Sequence, residues 1–371
     1  MLAAAYSGYA LALALAQRGG RGGVQEGVRP ADGELVVCRV LGRPKGGART
    51  GSTLGTMQRW RGTQAAPGGW GRAVATIGVF DGVHRGHQQI IGHAVKRAHE
   101  LGVQSVVVTF DPHPAEVVRP GSHPAVLTEP GRKAELLEAL GVDVLCVIPF
   151  TAEYSRLSPE EFVHDALVER LHTALVVVGE NFRFGHKQGG DVALLTKLGR
   201  TFGFAVEGAP LVADEGTVFS STYIRSCVDA GDVVAAARAL GRPHRLDGVV
   251  VRGDQRGREL GFPTANLLVP ANAAVPADGI YAAWFVRDRD GARLPSAVSI
   301  GSNPTFSGTE RRVEAFVLDF EGDLYGERVS LDFVDRLREQ RVYQGIEPLI
   351  AQIAEDVEQT RQVLQRGPMQ G

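Results

Sequence analysis

From Ala73 onward, short apolar runs alternate with amphipathic stretches of helical period, and that alternation restricts this part of the chain to βαβ units on a parallel sheet. Val74 to Val79, Val106 to Phe110, Val142 to Phe150, Leu175 to Val178 and Phe204 to Val206 read as buried strands. Between the first two, Ile90, Ile91, Ala94, Val95, Ala98 and Leu101 recur at helical spacing and lay one face on the sheet. Ser158-Pro159-Glu160-Glu161 is a capping box with proline at the first helical position, so a helix to about Leu171 follows. After Leu240-Gly241-Arg242-Pro243 the rhythm becomes alternating strands separated by Gly, Asp and Asn turns, with no helix until about Glu347. Ile350, Ile353, Ala354, Val357 and Leu364 give that last helix its apolar stripe. The second part is therefore expected to be an antiparallel barrel or sandwich closed by a terminal helix. The expected domains are 57–241 and 246–366.

Residues 1–56 stand apart. They are Gly-, Arg- and Ala-rich and carry 7 basic against 3 acidic side chains, leaving 33 against 39 for the rest of the 371-residue chain. They are expected to be a disordered extension outside the fold, without the helical stripe of charge a membrane anchor needs. The mildly acidic body lacks the basic footprint of a nucleic-acid binder, so no nucleic-acid partner is expected. Cys38, Cys146 and Cys227 form no CxxC pair, which argues against a disulfide framework or structural zinc and fits a cytoplasmic protein. The apolar run Leu2 to Ala16 is too short to span a membrane and has no basic residue before it, so no membrane association is expected.

Four polar clusters converge on one edge of the expected sheet. The first, Thr76-Ile77-Gly78-Val79-Phe80-Asp81-Gly82-Val83-His84-Arg85-Gly86-His87, lies where open parallel sheets bind ligands, outside the carboxyl ends of the strands. Gly78, Gly82 and Gly86 allow backbone to approach a phosphate, and the following helix start offers free N–H groups. His84 and His87, three residues apart, can donate to phosphate oxygens whose charge grows during displacement at phosphorus. Phe110-Asp111-Pro112-His113-Pro114 and Gly179-Glu180-Asn181-Phe182-Arg183-Phe184-Gly185 end later strands. Ser220-Ser221-Thr222-Tyr223-Ile224-Arg225 places hydroxyls and a guanidinium at a helix start, an anion site. His93, His99, His164 and His172 are expected within helices, away from this edge. Taken singly these clusters read as a glycine loop with solvated histidines, a turn asparagine at Asn181 and a surface salt bridge at Arg225; their convergence favours a site.

These motifs resemble the bacterial bifunctional riboflavin kinase/FMN adenylyltransferase family, over roughly Ala73 to Gln365. The resemblance implies an α/β nucleotidyltransferase-like domain with a parallel sheet, followed by an antiparallel β-barrel riboflavin kinase-like domain with a terminal helix. It also implies that ATP and FMN meet Gly78, Phe80, Asp81, Gly82, His113, Asn181, Arg183, Ser220, Thr222 and Arg225 around the catalytic His84 and His87. Phe219 stands where the family more often has a smaller aliphatic residue.

The chain has no GxxxxGK[ST] loop, so a kinase activity needs another architecture. Gly257-Arg258-Glu259-Leu260-Gly261-Phe262-Pro263-Thr264-Ala265-Asn266 offers one, because the Thr264 hydroxyl and Asn266 carbonyl are hard oxygen ligands of the kind Mg²⁺ takes beside nucleotide phosphates. Read alone, the segment is a plain Pro/Gly turn; it is similar to the family's PTAN motif. Strand alternation puts Glu314 on one face with Phe316, Leu318 and Phe320, where desolvation suits a general base, the role the resemblance implies for it. The resemblance further implies ATP or flavin contacts at Gly257, Gly261, Phe262, Pro263, Tyr281, Asn303 and Arg338, with Tyr343 at a position where the family has phenylalanine. The expected activity is synthesis of FMN from riboflavin and of FAD from FMN, with ATP as co-substrate and Mg²⁺ as cofactor. Two rivals are an aminoacyl-tRNA synthetase, which also uses HxGH but needs a KMSKS-like lysine loop absent here, and a flavin-binding module without catalysis.

Overall fold

The computed structural model describes residues 56–214, 216–253, 261–305 and 308–366, with backbone alone for 302–305 and 308–310. The disorder expected of residues 1–56 falls, up to residue 55, outside them. Six parallel strands form the first layer: β1 (Gln58–Arg61), β2 (Ala73–Ile77), β3 (Gln104–Asp111), β4 (Val144–Pro149), β5 (Thr173–Gly179) and β6 (Ala205–Ala209), in the order β1-β4-β3-β2-β5-β6. The chain runs outward from β2 through β3 to β4, then returns to place β5 on the other side of β2. That reversal opens a crevice at the carboxyl ends of β2 and β5.

Helix α1 (Arg85–Leu101) covers the sheet with the buried stripe Ile91, Ala94, Val95 and Ala98. Gly102, with φ 65°, ends it in the left-handed conformation that glycine adopts without a Cβ penalty. Next come α2 (Pro114–Val118), α3 (Pro130–Ala139) and α4 (Pro159–Phe162), the last prolonged by a π-helical stretch, Val163–Arg170. The capping box at Ser158 is formed, with both reciprocal hydrogen bonds present. Helices α5 (Val192–Phe202), α6 (Ser221–Ala230) and α7 (Val233–Leu240) follow, with a two-stranded ribbon β7 (Ala213–Asp214) and β8 (Thr217–Val218) before α6.

Two details differ from the sequence reading. Strand β1 precedes the expected first strand; only Trp60 of its four residues is buried, so no apolar run announces it. β6 is the opposite edge, where Ala209 alone is buried rather than the whole strand.

After Gly241-Arg242-Pro243, a closed antiparallel barrel is built from β9 (His244–Val251), β10 (Ala265–Leu268), β11 (Gly279–Arg287), β12 (Arg293–Thr305), β13 (Gly308–Val317) and β14 (Arg328–Arg338), joined in the order β10-β13-β12-β11-β14-β9. Its interior holds Leu246, Val250, Leu267, Tyr281, Phe285, Val298, Ile300, Val313, Ala315, Leu331 and Phe333. Val233 of α7 joins this core, so the last helix of the α/β part is shared with the barrel. The terminal helix α8 (Ile346–Gln365) packs on β11, β12 and β14.

Candidate active sites

The turn from β2 into α1 is unusually contorted. Phe80, Gly82 and Val83 have φ of 50°, 85° and 40°, a conformation costly for a β-branched residue such as Val83 and held only where surroundings over-determine it. Those surroundings are visible. Asp81, 5% exposed, accepts from the Leu127 and Thr128 N–H groups and pairs with Arg225 at 2.5 Å. Arg225 also donates to the Ala125 carbonyl, and Ser221 Oγ donates to the Asp81 carbonyl. The strained turn is thus clamped between α6 and segment 125–128.

His84 caps α1, its Nδ1 accepting the His87 N–H at 3.3 Å. The two imidazoles stack with centroids 3.6 Å apart, and Phe80 meets the His87 ring edge-on at 5.2 Å. Burial holds the pKa of His84 down at about 4, against the opposing pull of Asp81. Burial and the neighbouring His84 and Lys133 hold His87 well below the usual imidazole range. Both rings are neutral at pH 7. With Nδ1 of His84 accepting, its proton sits on Nε2, so His84 is a neutral hydrogen-bond donor rather than a cation.

Around this turn the structure gathers the other clusters. His113 caps α2 through its Nδ1, and burial beside His123 lowers its pKa to about 4. Asn181 and Arg183 stand exposed on the loop after β5, Arg183 3.5 Å from Asp191. A Cβ on Gly179 would lie 3.3 Å from Asn181 Oδ1 and 3.4 Å from Ile90 of α1, which brings that loop against the first turns of α1. Ser220 caps α6, and Thr222 is exposed on its first turn.

Several expected ligand contacts are occupied instead by structure. Arg225 and Asp81 hold one another, so the guanidinium expected for an anion is a clamp. Phe80 is 3% exposed, its ring 3.0 Å from where a Cβ on Gly78 would stand, and Gly82 is buried against Leu127 and Leu240. His172 is not helical: it follows the π-helical stretch with φ 46° and its Nδ1 lies 3.0 Å from the Trp70 carbonyl. His93, in α1, pairs with Glu207.

One cation went unnoticed in the sequence. Lys133 of α3 donates to the Val79 carbonyl at 3.0 Å, its pKa lowered by burial against the pull of Asp81, Asp111 and Glu129, and its charge reaches both His87 and His113. A lone lysine in the first turn of a helix carries no sequence signal.

On the barrel, Asn266 and Glu314 are register partners in the β10–β13 ladder, and Ser299 is partner to Glu314 in β12. Direct partners share a face, with Cβ atoms about 4.5–5.5 Å apart. Thr264, two residues before Asn266, is half-buried and immediately precedes β10. Phe262 meets Phe316 edge-on at 5.4 Å beside them, next to Pro263 and Gly261, which has φ 84°. A Cβ on Gly253 would collide with the Asn266 carboxamide, so the glycine leaves room for that side chain.

This face is the outer one. The interior takes Val313, Ala315 and Val317, the smaller residues, and Glu314 and Phe316 point outward. Val317 and Leu318 are both buried, so the alternation breaks at the strand end and does not carry Leu318 on to Glu314's face. Tyr281, expected at the ligand, is fully buried in the barrel against Phe333, its hydroxyl donating to the Ala277 carbonyl. Arg338 makes a two-pronged pair with Asp356 at 2.8 and 2.7 Å, fastening α8 to the barrel, with its guanidinium 5.9 Å above Tyr343. Gly257 lies outside the described residues. Asn303 is placed by backbone alone, paired with Glu310.

Residues 68–223 match the family model described as FAD synthetase, and residues 240–364 match riboflavin kinase. The chain belongs to the bifunctional riboflavin kinase/FMN adenylyltransferase family. The family protein from Pseudomonas fluorescens is 40% identical over 289 residues, covering 78% of this chain and 92% of the relative; that from Listeria monocytogenes is 38% identical over 292 residues, covering 78% and 91%. A crystal structure described as a macrolide-efflux protein from Streptococcus pneumoniae superposes with a TM-score of 0.75 at 31% identity, over 82% of this chain and 99% of that one. Among the described residues no helix is long and apolar enough to cross a membrane.

Proposed function

We infer that the chain is a two-site transferase. The barrel moves the γ-phosphoryl of ATP to riboflavin to give FMN and ADP, and the α/β module joins FMN to the AMP part of a second ATP to give FAD and pyrophosphate. The two family matches, over residues 68–223 and 240–364, carry this reading. We assign the modules to 57–241 and 246–366, although β9 already begins at His244. The dependence on ATP, together with the free buried thiols of Cys146 and Cys227, supports action in the cytoplasm.

In the α/β module, His84 and His87 donate from neutral rings to oxygens on the α-phosphoryl as the FMN phosphate attacks and pyrophosphate leaves. Neutral donors bring no charge of their own, so Lys133 supplies the fixed positive charge within reach. The amino end of α1 adds its dipole. His113, Asn181, Arg183, Ser220 and Thr222 ring the crevice and orient the nucleotides, so acceleration comes from positioning and charge stabilisation without a covalent intermediate.

In the barrel, Thr264 and Asn266, two residues apart at the start of β10, offer two neutral oxygens, a donor set that fits Mg²⁺ completed by nucleotide phosphates and water. When bound, the ion neutralises phosphate charge. Glu314 takes the proton from the ribityl 5′-hydroxyl, and Phe262, Pro263 and Gly261 border the nucleotide. Incubating the chain with riboflavin, ATP and Mg²⁺ and separating the flavins by chromatography tests the whole reading. Appearance of FMN before FAD is expected; unchanged riboflavin would refute it.

A further inference from the structure

The linker Gly241-Arg242-Pro243 marks the change of rhythm in the sequence, yet its arginine does not point at the barrel. Arg242 reaches back to the catalytic turn of the α/β module, donating to the Gly82 carbonyl at 2.6 Å and to the Val83 and Leu240 carbonyls at 3.1 Å each. Gln88 of α1 donates to the same Val83 and Leu240 carbonyls at 2.8 Å. Among the described residues no carboxylate pairs with Arg242, and burial beside Arg132 and Arg245 lowers its pKa to about 10. A half-buried, crowded guanidinium given over to backbone carbonyls carries a desolvation cost, and what it holds are two residues of positive φ immediately before His84.

The opposite side of the turn is held from the barrel as well. Val126 donates to the Asn272 carbonyl at 2.7 Å and accepts from the Ala274 N–H at 2.9 Å. The next two residues, Leu127 and Thr128, donate to Asp81. The neighbouring His244 lies 2.8 Å from the Ala274 carbonyl. Asp81 and Gly82–Val83 are therefore each fixed by a path that begins in the second module or the linker.

We propose that Arg242 is a positioning residue for adenylyl transfer, fixing the turn that presents His84 so that this reaction depends on how the barrel is seated. The proposal rests on the assignment of adenylyl transfer to the α/β module. Its test uses the full chain carrying Arg242→Met or Arg242→Lys, with Arg293→Met as control. Arg293 lies at the same junction and pairs with Asp332 at 3.2 Å, but it does not touch the turn. FAD formation from FMN and riboflavin phosphorylation are assayed separately.

Arg242→Met is expected to lower kcat for FAD formation by about 10- to 100-fold, the cost of a small misplacement of a catalytic group, with KM for FMN and ATP little changed and riboflavin phosphorylation intact. Arg242→Lys, which keeps the charge and reaches one carbonyl, recovers part of that turnover and folds even if the Met variant does not. Arg293→Met keeps both activities. Unchanged FAD formation in Arg242→Met, or parallel loss of both activities in either Arg242 variant, would overturn the proposal. FAD from neither wild type nor variant would sink the functional reading and the proposal together.

Discussion

Replacing Arg225 with methionine separates two roles for the SSTYIR segment, a ligand for nucleotide phosphate or a clamp on the strained turn before His84. Arg225 and Asp81 have side chains only 14% and 6% exposed, so removing the cation strands a carboxylate that solvent barely reaches. Breaking a buried pair from one side costs about 3–5 kcal/mol. The Leu127 and Thr128 N–H groups still serve Asp81, which favours the lower end, while loss of the bond to the Ala125 carbonyl adds about 1 kcal/mol. A destabilisation of about 3–4 kcal/mol is expected from urea unfolding followed by fluorescence of Trp60 and Trp70, which pack edge-to-face in the α/β module. Asp81→Asn combined with Arg225→Met should be less damaging than the two single effects added, by about 1–3 kcal/mol. An unfolding midpoint like the wild type's, accompanied by a raised KM for ATP, would refute the clamp and restore the phosphate-ligand role.

His84→Ala should abolish FAD formation while riboflavin phosphorylation continues, measured as separate initial rates; equal loss of both in a folded variant contradicts two sites. Glu314→Gln keeps size and removes basicity, so riboflavin phosphorylation should fall about 10²- to 10⁴-fold in kcat with KM little changed, and a rate within a few-fold of wild type would make Glu314 structural. His84 has a folded pKa of about 4 against 6.5, so the unfolded chain takes up its proton first. Stability is complete above about pH 6.5 and is lost as pH falls toward 4, with His84 contributing about 3 kcal/mol; His84→Gln should flatten this slope in urea titrations, and an unchanged slope would disprove the cause. A chain starting at Met57 should keep both activities, because β1 and the buried Met57 side chain are retained; a large drop in either activity would show that the preceding residues matter.

Periodicity exposed most of the fold because buried strands and helices leave patterns over five or more residues. It missed β1, whose single inward residue, Trp60, makes no pattern. Alternation shows which residues share Glu314's face but not whether that face turns inward: the barrel's tight interior took Val313, Ala315 and Val317 and left Glu314 outside with the bulkier Phe316. The same inward alternation buries Tyr281. His84 and His87 were legible because three residues of chain bring them together. The Asp81–Arg225 clamp, Lys133 against Val79 and Arg242 against Gly82 were not, since each joins residues far apart in sequence, where spacing holds no information.

The central claim is that two modules perform two successive transfers at two separate sites, and tracing the phosphorus of ATP tests it most directly. With γ-labelled ATP and riboflavin, the label should enter FMN and then FAD; with α-labelled ATP it should enter FAD alone. In His84→Ala the γ-label should reach FMN while the α-label reaches no flavin. In Glu314→Gln the α-label should enter FAD only when FMN is supplied. If either substitution blocked both labels with FMN present, or if α-label appeared in FMN, the account of two independent sites would be wrong.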